Sequence, residues 1–262
     1  MAFYHFLAIF PSLLAFFTIT AHIPHLGNFL KAALQDVSRQ VLPGQVAQLF
    51  QQTMNELSEH PRSGVPLLSV LLAALWAAHN GTWAMIYGLN KAYEVEEKRS
   101  WQEMTVTNIA LTAFLSVLGF LVLFLIFLSS YLQTRFHGGT IGLRILEWLV
   151  LIAALSFSFA VLYRFAPNLD DHEWRWSTPG ALCALVLWIG ATVAARIYFD
   201  HVDNYARSYG HLNGVAMFLL WLYVSNGAIL IGGEMNSEIE KNVTHGRQRP
   251  EAAAHPEQRS VS

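Results

Sequence analysis

Long runs of apolar residues alternate with short polar segments along the whole chain. A helix needs about 20 largely apolar residues to cross the hydrocarbon core of a bilayer, and six runs approach or exceed that length. The predicted spans cover residues 1–22, 63–89, 104–131, 145–163, 178–196 and 212–233. The pattern therefore predicts an all-α, polytopic membrane bundle of about six transmembrane helices.

The last apolar run has the most distinctive flanks. Its centre, Val215–Ile231, contains no Asp, Glu, Lys, Arg or His, and Asn226 is a single amide near its middle. The polar letters SYG and HLNG precede the run, and GGEMNSEIEK follows it. These features predict a membrane helix with an unusually polar end.

Residues 27–62 have a different pattern, with apolar side chains about four positions apart. Phe29, Ala33, Val37 and Val41 form one stripe, and Val46, Phe50, Met54 and Leu57 form a second after Pro43-Gly44. This spacing predicts two external amphipathic helices. They lie on the lipid surface or cover the mouth of the bundle, and the narrow stripes favour packing on protein.

Two polar segments complete the organisation of the chain. The charged connector at residues 90–103 is predicted to be a solvated loop. Residues 242–262 are rich in His, Arg, Pro, Glu and Ser, which predicts a disordered cytoplasmic tail. Residues 1–241 then form a single integral-membrane domain.

Composition supports the membrane assignment and excludes several classes of function. Hydrophobic residues make up 54% of the chain and charged residues 13%, against about 25% charged in soluble domains. The net charge of −2 gives no general attraction to nucleic acid. The single cysteine, Cys183, excludes an internal disulfide framework and any multi-cysteine metal site within one chain.

No catalytic, cofactor or metal site is predicted. Residues 170–173 are three acids and one histidine, which are all possible metal ligands. Consecutive side chains point in different directions, so we do not expect them to form a metal site. The predicted partners are membrane lipids and a lipid or small-molecule substrate, with no nucleic acid. The sequence does not indicate the oligomeric state.

Polar side chains at membrane depth or at the ends of spans are the candidate functional residues, because such groups are costly in hydrocarbon unless they face protein or water. The alternative is that they only join helices through hydrogen bonds, with Gly81 as a close-contact point. The candidates are His5, His79, Asn80, Arg164, Tyr209, Asn226, Glu234 and Asn236.

Glu234 follows the last span, where the helix dipole disfavours an acid. Arg164 ends the fourth predicted span on the same side of the membrane. One hypothesis is that the two side chains pair and close the cytoplasmic end of a cavity. The alternative is that Glu234 is solvated at the level of the headgroups.

An even number of spans places both termini on one side of the membrane. Lys and Arg are slightly more numerous in the segments on the side of the termini, which predicts cytoplasmic termini and an external position for residues 27–62.

Several short motifs occur in a characteristic order: AFYHFLAIFPSLL at the start, LNKAY, YRFAP, PGA at Pro179, and GGEMN at the end of the last span. In this order they resemble the YihY/BrkB family of bacterial inner-membrane proteins. The resemblance implies six spans with both termini in the cytoplasm. Family members typically carry a short cytosolic stretch before the first span, whereas Met1 here directly precedes AFYHFLAIF, so the resemblance leads us to expect a chain that is truncated or started late.

The family once carried the name ribonuclease BN, but that activity is not expected here. Ribonuclease chemistry needs a general base, a general acid and phosphate-stabilising cations gathered in water, and the aqueous segments show no such set. The polar groups at membrane depth favour transport or lipid handling in the cell envelope. The alternative is a non-transporting scaffold for envelope assembly, and neither function requires an enzyme.

Overall fold

The structure is a computed structural model that describes residues 1–21, 31, 34, 35, 38, 39, 42–59, 67–135, 140–169, 178–201 and 211–254. The described residues form seven α-helices, which confirms the all-α fold class. They are α1 Ala2–Ala21, α2 Gly44–Glu59, α3 Leu67–Ala92, α4 Trp101–Arg135, α5 Thr140–Phe165, α6 Thr178–His201 and α7 His211–Ala254.

Four of these helices are long and apolar enough to cross a membrane. The apolar stretches are Trp101–Ile126, Ile141–Phe165, Pro179–Tyr198 and Gly214–Asn242. Within the described residues, α1 contributes the shorter apolar stretch Ala2–Ala15, and the polar pair His79–Asn80 interrupts α3. The length and composition of the helices therefore support four spans, and the count of six remains a prediction.

Helix α7 lies at the centre of the bundle. It packs most extensively against α6 and also contacts α1, α2, α3 and α5, while α1 packs mainly along α3. Helices α6 and α7 are antiparallel, since Gly180 meets Gly232 near one end and Trp188 contacts Trp221 further along. The stretch with the most distinctive sequence is thus the helix that most others pack against.

The main apolar core lies towards one end of the bundle, here called the connector end and made of residues 90–100, 163–169, 178–180 and 232–241. Ile86, Leu89, Tyr163 and Ala184 are fully buried there. They come from α3, α5 and α6, so this core joins three helices around α7.

Helix α2 packs on protein at the opposite end, as its narrow apolar stripe predicts. Val46 is buried against Met217 and Phe218 of α7, and Met54 is buried against Leu13 of α1. The predicted packing is therefore confirmed for the second amphipathic helix. Most of the first one lies outside the described residues.

Two predicted boundaries need correction. Helix α4 begins at Trp101 rather than 104, because Ser100 and Glu103 form a reciprocal capping box: each backbone N–H bonds the other side chain, at 2.8 and 3.3 Å. Helix α7 continues to Ala254, whereas the sequence predicts a disordered tail from residue 242. Ala, Glu, Gln and Arg are strong helix formers, and they extend a helix already anchored in the bundle. Residues 255–262 lie outside the described part.

The backbones of α6 and α7 touch at Gly180 and Gly232. A methyl group on Gly232 would lie 2.5 Å from the Tyr163 hydroxyl, 2.6 Å from the Gly180 carbonyl oxygen and 2.7 Å from Ala184 Cβ. These distances leave no room for a side chain, so glycine is required for the close approach of the two helices.

Hydrogen bonds across this contact connect three helices. The Gly180 N–H donates to the Asn236 side-chain oxygen at 2.8 Å, which satisfies one of the four N–H groups left free in the first turn of α6. The Tyr163 hydroxyl donates to the Ile229 carbonyl at 2.7 Å. Asn236 thus caps α6 from a neighbouring helix.

We expect Gly232→Ala to destabilise the bundle by about 1–3 kcal/mol, because the added methyl group overpacks a contact between backbones. Gly119→Ala on α4 is the matched control, since a Cβ there meets no atom within 4 Å and alanine is the better helix former. Thermal unfolding in detergent should give a lower Tm for the first variant and an equal or higher Tm for the second. Equal Tm values for Gly232→Ala and the wild type would contradict the tight contact.

Candidate functional site

The structure brings two of the predicted polar residues together at the middle of the bundle. The imidazole of His5 on α1 lies beside the Asn226 side chain of α7. It also rests on Gly81 of α3, where a methyl group would lie 3.1 Å from His5 Cδ2. Gly81 is therefore the close-contact point that the sequence predicts. These three residues meet near mid-depth, since Asn226 lies near the middle of the Gly214–Asn242 span.

The Asn226 side chain is buried, at 5% exposed, and its Nδ2 donates to the Leu222 carbonyl at 2.7 Å. Its oxygen is fully buried and accepts no hydrogen bond of good geometry from the described residues, but the His5 imidazole lies close enough to interact with this side chain. The buried hydroxyl of Ser225 likewise has no partner of good geometry among the described residues. Most buried polar atoms in proteins have a partner, so these two atoms stand out.

His79 and Asn80 lie half-buried on α3. The His79 carbonyl accepts a hydrogen bond from Asn108 Nδ2 at 3.2 Å, and Thr112 donates to the Asn108 oxygen at 3.1 Å. Sequence analysis missed Asn108, which is fully buried. The available signal was the spacing of Asn108 and Thr112 by four residues, which puts both on one helix face.

The described residues do not show the hypothesised pair of Arg164 and Glu234, and the exposed Glu234 fits the alternative of a solvated side chain. Among the described residues no ion pair joins them, and Glu234 is exposed while Arg164 is half-buried. On α7 the buried positions at this end are Gly232, Gly233, Asn236 and Ser237, so Glu234 points away from the helices that pack there. Tyr209, another candidate, lies outside the described residues.

A groove of about 880 Å³ runs along the flank of the bundle. Its floor is α7, and its walls are α6 and the start of α1. The lining residues are Met1, Ala2, Val186, Leu187, Gly190, Ala191, Ala194, Tyr223, Val224, Asn226, Gly227, Ala228, Leu230 and Ile231. Asn226 and Tyr223 carry its polar side chains, and the other lining side chains are apolar.

Two glycines widen this groove. At Gly190 and Gly227 an added Cβ meets no atom within 4 Å, in contrast to Gly180 and Gly232. Val186 and Tyr223 beside them are exposed on the flank of the bundle, within helices apolar enough to cross a membrane. The groove therefore opens sideways, towards the hydrocarbon.

Sequence analysis also passed over a carboxylate inside the fourth predicted span. Glu147 on α5 lies 3.4 Å from the Ser129 hydroxyl of α4, which donates to it. Both side chains line a small apolar cavity of about 120 Å³ between the two helices. The signal was plain, because an ionisable residue within an apolar run is unusual.

The charged connector is more ordered than the predicted solvated loop. Arg99 binds both carboxylate oxygens of Glu97 at 2.7 and 2.6 Å and donates to the Ala166 carbonyl at 2.9 Å. Asn90 also donates to Glu97, at 2.7 Å, and accepts from the Asn168 N–H at 2.8 Å. This network joins the connector to the end of α5.

The Arg99 guanidinium lowers the pKa of the Glu97 carboxyl below its ordinary value of 4.5, with further help from Asn90 and against the opposing effect of burial. A carboxyl with a lowered folded-state pKa stabilises the fold above the ordinary pKa, and this stabilisation is lost as pH falls through the folded-state pKa. We therefore expect Glu97→Gln to destabilise the protein by about 1–3 kcal/mol at neutral pH, with a smaller difference from wild type below pH 4.5.

Chemical unfolding at neutral and acidic pH tests this expectation. Glu96→Gln is the control, because its side chain is exposed in the same connector and should contribute little. A Glu97→Gln deficit that stays constant with pH would show that the charge of Glu97 does not stabilise the connector.

The chain matches the family model described as virulence factor BrkB over residues 1–256. It is 30% identical over 251 residues to YfkH of Bacillus subtilis strain 168, whose name describes it as ribonuclease-like; the alignment covers 92% of this chain and 88% of that protein. It is 25% identical over 245 residues to a UPF0761 membrane protein of Tolumonas auensis, covering 91% and 78%.

A third relative is the UPF0761 membrane protein RSc1559 of Ralstonia nicotianae, 26% identical over 231 residues, with 86% of this chain and 51% of that protein covered. The chain thus spans about half of that relative. No solved structure matches the chain. The family match confirms the resemblance seen in the motifs: the chain belongs to the BrkB family of bacterial membrane proteins.

Proposed function

We propose that the protein binds lipid in the groove over α7 and handles lipid in the bacterial inner membrane. The observation that carries the proposal is the groove itself, which is apolar, opens sideways and has a volume of about 880 Å³. Small-molecule sites typically measure about 300–1,000 Å³. An apolar chain from the surrounding bilayer reaches such a groove without crossing water.

This proposal narrows the broader expectation of transport or lipid handling. A hydrophilic solute needs a polar path, whereas the groove offers polar side chains only from Asn226 and Tyr223. A scaffold is the competing function, and the well-paired network around Glu97 and Arg99 is compatible with it. The open groove favours lipid binding over a role in packing alone.

We also propose that the protein is not an enzyme. Relatives are named as membrane proteins, and the ribonuclease-like name is that of the Bacillus relative. In the ranges that the structure describes, no three His, Cys, Asp or Glu side chains group closely enough to hold a metal ion. Retained nuclease activity in the purified protein would overturn this proposal.

Filling the groove tests lipid binding directly. Gly227→Leu places a side chain in open space on the groove floor, so the fold should tolerate it while the groove loses volume. We expect a phospholipid with a photoreactive group in its acyl chain to label residues 186–194 and 223–231 of the wild type more strongly than it labels α4. In Gly227→Leu this labelling should fall to the level of α4.

Gly119→Leu is the matched control, because Gly119 also has open space around it but does not line the groove. Its labelling should equal that of the wild type. Uniform labelling of all exposed helices in the wild type, or unchanged labelling in Gly227→Leu, would contradict lipid binding in the groove.

The proposed orientation places both termini in the cytoplasm and α2 outside, as the distribution of Lys and Arg suggests. In a Cys183→Ala background, a cysteine at the exposed Gln52 of α2 should react with an impermeant maleimide in intact cells. A cysteine at the exposed Glu96 of the connector should react only after lysis. The reverse pattern would invert the orientation.

A further inference from the structure

Tyr223 is a tyrosine that lies deep in the membrane on the surface of the bundle. Its Cα is eleven residues from the exposed Glu234, which is about 16 Å along α7 at the rise of a helix. The hydrocarbon core is about 30 Å thick, so Tyr223 lies near its middle. Tyrosines of membrane proteins usually lie at the headgroup level, and a phenol side chain is too short to reach that level from here. Interfacial anchoring therefore does not explain this residue.

Helix α6 presents small residues to Tyr223. Trp188 of α6 contacts Trp221 of α7, and helical side chains lean towards the N-terminus, so Tyr223 leans towards the level where α6 continues from Trp188. The lining residues of α6 at this level are Gly190, Ala191 and Ala194, and a Cβ added at Gly190 meets no atom within 4 Å. The groove is bounded here by an aromatic ring and by a flat surface, which suits a planar group.

The Tyr223 hydroxyl adds a hydrogen-bond donor to this slot. The side chain is 72% exposed and lines the groove, so a molecule in the groove has access to the hydroxyl. A hydroxyl in hydrocarbon gains from any acceptor that reaches it, because an unpaired one is costly there. A ligand with an oxygen acceptor at mid-depth is therefore bound more tightly than a plain hydrocarbon chain.

Depth restricts the ligand to an uncharged polar group. Ionised groups are costly near the middle of a bilayer, so phosphate and ammonium headgroups stay at the membrane surface. Met1 lies beside Leu230 near Gly88, about two helical turns from Tyr223 towards the connector end. A charge at Met1 would thus lie nearer the headgroups than Tyr223 and does not change the chemistry at mid-depth.

Building on the lipid-binding function proposed above, we propose that the groove binds a lipid with a planar, uncharged ring that carries a carbonyl oxygen. Isoprenoid quinones have this chemistry. The ring lies between Tyr223 and the small residues of α6, the Tyr223 hydroxyl donates to the carbonyl, and the apolar tail follows α7 past Gly227. The geometry assigns the recognition of the ring to Tyr223.

The test uses the full chain in nanodiscs and the photoreactive acyl lipid described above. The first unlabelled competitor is a menaquinone with a tail of four isoprene units. The second carries the same tail on a naphthalene ring, which keeps the planar ring and lacks the carbonyl oxygens. For the wild type we expect the quinone to displace the probe about fivefold better than the naphthalene analogue, which corresponds to one neutral hydrogen bond of about 1 kcal/mol. Equal competition by the two compounds would overturn the proposal without any variant.

Tyr223→Phe keeps the aromatic ring and removes the donor. In this variant the quinone and the naphthalene analogue should compete equally while both still displace the probe. Tyr87→Phe is the matched control, because Tyr87 on α3 is also exposed, at 68%, but does not line the groove; its preference for the quinone should equal that of the wild type. A preference that survives Tyr223→Phe would contradict the assigned role of Tyr223.

The failure of the underlying function looks different in the same experiment. If neither compound displaces the probe from residues 186–194 and 223–231, and the probe labels these residues no more strongly than α4, the groove does not bind lipid and both proposals are wrong. If the probe labels the groove but the quinone has no advantage, lipid binding stands and only the quinone proposal is wrong.

Discussion

The contact between the backbones of α6 and α7 at Gly180 and Gly232 constrains the rest of the structure. In a bilayer each backbone polar group needs a partner within the protein, and here Asn236 supplies one for the first turn of α6. Tyr163 then fixes α5 to α7 through the Ile229 carbonyl. This contact holds α7 at the centre, and the connector network around Glu97 closes over the same end of the bundle.

Glycines play opposite roles along the same pair of helices. Gly180 and Gly232 exclude side chains so that two backbones meet, whereas Gly190 and Gly227 face open space and leave a groove. The first pair supplies rigidity at the connector end. The second pair supplies volume at the depth of Asn226, where an apolar molecule from the bilayer has access. A rigid end and an open flank together are what the proposed lipid-binding function requires.

Much of the fold follows from the sequence, because membrane helices are set by apolar length. The central importance of α7 and the burial of α2 were predictable from their patterns. The sequence left open whether Glu234 pairs with Arg164 or is solvated, because sequence separation alone does not give the rotational position of Glu234 on α7. The groove was also missed, since a glycine that touches a backbone and a glycine that faces open space look the same in one sequence. Only the neighbouring helix distinguishes Gly232 from Gly227.

The most direct test of lipid binding in the groove is an experimental structure of the protein in nanodiscs made from bacterial lipid. The account predicts elongated density over α7 between Ala2 and Gly190, passing Gly227. A groove closed by side chains, or one that is empty while lipid density covers other faces of the bundle, would contradict it.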